Sequence, residues 1–124
     1  MSDNEQDLVR SVLDTWKAAF DTHKPQQVAA VFTDDAIFQG LHPYTVGLQG
    51  IADYFAELPV GMTADYTIRE TRRLHDDVVL AYLTVDFSFT DRPTLPVYMS
   101  IIIKRHADAW KIAHYQVSYL DHTQ

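Results

Sequence analysis

The run Trp110-Lys111-Ile112-Ala113-His114-Tyr115-Gln116-Val117-Ser118-Tyr119-Leu120 decides the fold. It holds no glycine or proline, and β-branched and aromatic residues are frequent, so it reads as a strand. Strand side chains alternate between two faces. Strict alternation puts Trp110, Ile112, His114, Gln116 and Ser118 on one face, which grades from apolar to polar. Lys111, Ala113, Tyr115, Val117 and Tyr119 fall on the other, which is mostly apolar or aromatic after the lysine. A strand with one solvated face alternates more cleanly. Both faces are therefore expected to be covered, the first by a core that opens into a polar pocket and the second by another subunit.

Working outward, three more long strands precede this one, at about 64–74, 78–89 and 96–105, the last strand itself running over 109–120. His75-Asp76-Asp77, Thr90-Asp91-Arg92-Pro93 and His106-Ala107-Asp108 are the turns between them, and connections this short join antiparallel neighbours. Leu83, Val85, Phe87 and Phe89 share one face of their strand and Val97, Met99, Ile101 and Ile103 one face of theirs. These apolar sets belong under the helices. The opposite face then collects Tyr82, Tyr98, Tyr115, Val117 and Tyr119. Aromatic groups with a polar tip suit an interface, so this face is read as a homodimer surface, the alternative being a bare solvent face.

Before the strands come helices. Leu8, Val12, Leu13, Trp16, Ala19 and Phe20 recur at three- and four-residue spacing, which predicts a helix from Asp3 to about His23. Ser2 with Glu5 fits a capping box. Pro25 suits the first position of a short second helix. Thr33-Asp34-Asp35 reads as a turn, 36–39 as a short strand, 41–47 as a loop and 50–58 as a third helix. Helices followed by a meander of long strands make an α+β layout.

At 124 residues the chain suits one domain, and 47% hydrophobic residues suffice for a real core. The net charge of −7 argues against nucleic acid and against anionic membranes. There is no cysteine, which removes disulfides and thiol chemistry. Neither a basic-then-apolar leader nor an apolar run of spanning length is present, so a soluble cytoplasmic domain is expected.

The order of elements resembles the nuclear transport factor 2-like superfamily. Phe32-Thr33-Asp34-Asp35-Ala36-Ile37-Phe38 is similar to its turn into the first strand, Gly47-Leu48-Gln49-Gly50-Ile51 to its entry into the third helix, and Trp110-Lys111-Ile112 with His114 and Ser118 to its final strand. The nearer resemblance is to its SnoaL-like branch, which includes many proteins without an assigned activity. The resemblance implies a cone: a strongly curved antiparallel sheet wrapped round the first helix, a pocket in the wide end, and dimers formed through the sheet. Ketosteroid isomerases, polyketide cyclases and dehydratases share this fold, and fold alone does not give function. The isomerase trio of an aspartate base, a tyrosine and a protonated aspartic acid has no counterpart here. The inward positions of the last three strands offer no carboxylate, and Glu70 shares its face with Arg72, which would hold it ionised.

His114 sits where the inward face turns polar, and an imidazole can act as acid or base. A pocket role and a plain core histidine are both open. His42, Pro43 and Tyr44 lie on the loop before the third helix, either lining the mouth or forming a rigid turn with Tyr44 packed on Phe55. Trp16, Phe20, Phe38, Tyr54, Phe87 and Met99 form the apolar wall, and Gln116 can hold a ligand's carbonyl. Asp34 and Asp35 look like a catalytic pair but read better as turn residues. The six histidines show no metal-binding spacing, and the four glycines form no phosphate loop, so neither a metal nor a cofactor is expected. The function expected is binding of a small, largely apolar, oxygenated molecule, with isomerase-, cyclase- or lyase-type proton transfer through His114 and His42. The alternative is a non-catalytic dimeric ligand-binding or assembly module.

Overall fold

A computed structural model describes residues 4–40 and 42–119. Helix α1 (Glu5–Asp21) is amphipathic and buries Val9, Val12, Leu13, Trp16, Ala19 and Phe20. Its cap is Asn4, whose Oδ1 accepts the Asp7 N–H at 2.8 Å, with Glu5 and Asp7 at the positive end of the helix dipole. Ser2, the expected cap, lies outside the described residues, as do Leu120 and His122. Glu5 pairs instead with Arg73 at 3.1 Å, tying the start of α1 to the sheet. Helix α2 (Pro25–Ala29) follows with proline at its start, and α3 (Leu48–Ala56) is capped by Gly47. Gly47 has φ 92° and ψ 168°, a conformation that side chains disfavour.

The strands are β1 (Phe32–Gln39), β2 (Thr45–Val46), β3 (Thr63–His75), β4 (Val78–Ser88), β5 (Leu95–His106) and β6 (Ala109–Ser118). They form one curved, open sheet in the order β2-β1-β6-β5-β4-β3. Every pairing is antiparallel except β1 with β6, which is parallel, so the sheet is mixed. The architecture is the expected α+β cone. β1 is longer than expected and takes in Thr33-Asp34-Asp35. Its pairing to β6 breaks between Phe32 and Ile37, so these residues form an irregular stretch of strand rather than a free turn.

The departure with the widest consequence is local. Along the β5–β6 ladder Ile103 faces Ile112, but Ile102 faces His114. Ala113 is an extra residue without a partner in the register, a β-bulge. One inserted residue exchanges the faces of everything beyond it, because the side-chain period is two. Trp110 and Ile112 keep the inward face, while His114, Gln116 and Ser118 turn outward. Tyr115 and Val117 turn inward, where they are 2% and 8% exposed in the core. They are therefore not part of the outer sheet face.

A second bulge lies in β3, where Ile68 faces Leu83 and Glu70 faces Tyr82, leaving Arg69 over. Glu70 consequently lies on the outer side, 3.1 Å from Arg72, with both side chains more than half exposed. Val79, Ala81, Leu83, Val85 and Phe87 of β4 and Val97, Met99, Ile101 and Ile103 of β5 complete the inner face as expected.

Candidate functional site

The wide end of the cone is bounded by the C-terminal ends of β1, β4 and β6 and by α3. A file of rings runs through it from the core to the surface. Trp16 of α1 lies 6.2 Å from Tyr115, Tyr115 stacks on Phe38 at 4.4 Å, Phe38 meets Tyr54 edge-on at 4.7 Å, and Tyr54 lies 5.9 Å from His42. Phe20, Phe55 and Phe87 fill the side of the file nearest α1, with Phe20 in contact with both of the others. The expected open pocket is thus occupied by aromatic side chains. A cleft between the helices, beside Phe20, Val28, Phe55 and Met62, has about 10 Å³ of free space, the room of a single water.

Polar atoms punctuate this apolar file. Burial, and secondarily the neighbouring Tyr54 phenol, push the Tyr115 hydroxyl well above its ordinary pKa, so it stays protonated and able to donate. The Trp16 indole N–H is fully buried and has no hydrogen-bond partner among the described residues. Tyr54 lies close over the backbone of Gly40, where an added Cβ would stand 2.2 Å from the phenolic oxygen. Gln39 fixes the loop beyond by donating from Nε2 to the carbonyls of Gly40 and His42, at 2.9 and 2.7 Å. The arrangement offers hydrogen-bond donors in a dry setting with an imidazole at its rim. No buried polar or charged residue accompanies it among the described residues, so it contains no sequestered carboxylate base.

Of the residues singled out in the sequence, Trp16, Phe20, Phe38, Tyr54, Phe87 and Met99 gather inside the cone, and His42 stands at the rim. His114 and Gln116 do not join them, because the Ala113 bulge places both on the outer face. Tyr44 is 65% exposed, which rules out its packing in the core. Tyr115 and Gly40 were missed. The signal for Tyr115 was present: the apolar pairs Trp110/Ile112 and Tyr115/Val117 are out of phase, and the slip falls at the small residue Ala113. Among the described residues no group of His, Asp and Glu gathers as a metal site, and no helix is long and apolar enough to cross a membrane.

A curved sheet around a long helix, with two shorter helices beside it, defines a cystatin-like α+β cone of the nuclear transport factor 2-like class. The SnoaL-like domain profile matches residues 9–122, and the chain belongs to that family. No curated protein matches the sequence. Among solved structures, a candidate calcium/calmodulin dependent protein kinase II association domain from Xanthomonas campestris superposes with a TM-score of 0.85 at 20% identity, over 98% of this chain and 91% of that one. A domain of unknown function with a cystatin-like fold from Nostoc punctiforme gives 0.84 at 12% identity, over 99% and 82%. A ketosteroid isomerase-like protein from Erwinia carotovora atroseptica gives 0.77 at 19% identity, over 97% and 99%. Likeness at such identities establishes the fold alone.

Proposed function

We propose that the protein binds a small, largely apolar molecule carrying a carbonyl or phenolic oxygen at the wide end of the cone. The Tyr115 and Tyr54 phenols would act as donors, and His42 would stand at the entrance. The observation that supports this most directly is the Trp16 N–H, buried without an acceptor among the described residues and beside a phenol that stays protonated. A buried donor left unpaired costs on the order of 1–3 kcal/mol, which a ligand oxygen would recover. Entry requires Tyr54 to swing aside, since the rings otherwise fill the cone. Isomerase- or cyclase-type proton transfer would run through His42, because His114 lies on the other side of the sheet. The name of the Erwinia neighbour agrees with such chemistry but belongs to that protein.

Melting curves against a panel of steroids, polyketide fragments and aromatic acids test the reading, since a bound ligand raises the melting temperature by mass action. We expect a shift with the wild type that shrinks in Tyr115→Phe. A panel without any shift removes the reading.

The outer sheet face supports a second reading, a homodimeric module. Ile37 and Val46 are 46% and 54% exposed side by side on β1 and β2, and Tyr82 stacks on Tyr98 at 5.7 Å on β4 and β5. These are two exposed patches on one sheet face, with the outward His114, Gln116 and Ser118 of β6 between them, and exposed apolar and aromatic groups rimmed by polar ones suit an interface. Tyr82 and Tyr98 contribute to it, whereas Tyr119, 59% exposed, lies past the end of β6 and shares the parity of Tyr115 and Val117 rather than that of the outer face.

A further inference from the structure

A different groove lies at the opposite, narrow end of the sheet, on its outer face. It is lined on one side by Lys104, Arg105, His106 and Lys111, on the other by Thr33, Asp34 and Asp35, and has a free volume of about 440 Å³. Lys104 and Lys111 stand directly opposite each other on β5 and β6. Like charges so placed repel and weaken a sheet. The chain has acidic residues to spare, yet neither lysine makes an ion pair among the described residues. The nearby Arg105 is by contrast engaged by Asp77. Asp35 is held by the Thr33 hydroxyl, which donates to it at 3.0 Å, and Asp34 and Asp35 stay on the far wall. The cationic and anionic walls therefore face each other without closing on one another.

We propose that this groove is a second binding site, separate from the cone interior, for a small hydroxylated phosphate monoester. Two lysines at directly opposed strand positions bring two ammonium groups, with six N–H donors between them, to one groove, which suits the oxygens of a phosphate dianion. The dianion would also relieve the lysine–lysine repulsion. Carboxylates only accept hydrogen bonds, so the aspartate wall suits hydroxyl donors on the rest of the ligand and repels a second anionic group. A bare phosphate satisfies one wall, whereas a sugar phosphate satisfies both.

Titration calorimetry of the full chain at constant ionic strength tests this with glucose 6-phosphate, inorganic phosphate and glucose as probes. We expect saturable binding of glucose 6-phosphate, tighter than that of phosphate, with no binding of glucose. The double variant Lys104→Gln/Lys111→Gln should lose at least tenfold in affinity, and Lys24→Gln, on another surface, should lose none. The double variant should melt no lower than the wild type without ligand, because it removes a repulsive pair, so lost binding is not lost folding. Absence of saturable binding, equal affinity for phosphate and glucose 6-phosphate, or unchanged affinity in the double variant overturns the proposal.

Discussion

Tyr115 stands opposite Ile101 across the β5–β6 ladder, on the face that helix α1 covers. The pairing follows from the single unpaired residue Ala113, and it decides which side chains of the last strand enter the cone.

Two neighbouring substitutions should therefore behave very differently. Tyr115→Ala empties a fully enclosed aromatic site and should cost about 3–5 kcal/mol. His114→Ala acts on the outer face and should stay within about 0.5 kcal/mol. Urea denaturation of both variants measures the contrast, and equal losses would contradict the bulged register.

Gly40 and Tyr54 should be coupled. The Gly40→Ala methyl would lie 2.2 Å from the Tyr54 hydroxyl and 2.6 Å from its ring carbon. The ring must shift, and overpacking of this kind costs about 1–3 kcal/mol. Tyr54→Leu removes both clashing atoms. Gly40→Ala should thus cost at least about 0.5 kcal/mol less in the Tyr54→Leu background, a difference that a double-mutant cycle reads.

On the outer face, Ile37→Glu should turn a dimer into a monomer with little change in stability of the fold. Ile37 is 46% exposed, so its replacement leaves the core intact. Light scattering coupled to size exclusion follows the mass. A wild type that elutes as a monomer at every concentration would remove the interface reading.

Stability should fall as the pH rises above about 10. Tyr66, raised to about 12 by burial and by its hydrogen bond to Asp14, keeps its proton in the folded state after the unfolded chain, titrating near the ordinary tyrosine value of 10.0, has lost it. Lys17 acts in the same direction. Burial lowers its pKa, but hydrogen bonds to Asp21 and Asp65 outweigh that, and it ends above 10.5. A group whose pKa is raised on folding contributes stability that is complete below the unfolded pKa and lost as the pH climbs through the folded one. Tyr66→Phe should flatten the decline between pH 10 and 12 in melting curves, and an unchanged slope would remove Tyr66 as its source.

Much of this was legible in the chain. The three-and-four spacing from Val12 to Phe20 specifies an amphipathic helix whatever it packs on. The alternation in 78–89 and 96–105 specifies which residues of β4 and β5 are inward, since short turns force adjacent antiparallel pairing. The apolar lining of the cone follows from the same two periodicities.

The sequence by itself thus determined the three helices, the four long strands, their order and most of the core, because these rest on local periodicity and short connections. Only the tertiary structure decided the face of His114 and Tyr115, the filling of the cone by rings, and the meeting of Lys104 and Lys111 with Asp34 and Asp35. The physical reason is that a bulge changes side-chain parity by one residue at little local cost, so its position is fixed by register against β5 and β1. Those partners are distant in the chain, and no periodicity within the last strand reports on them.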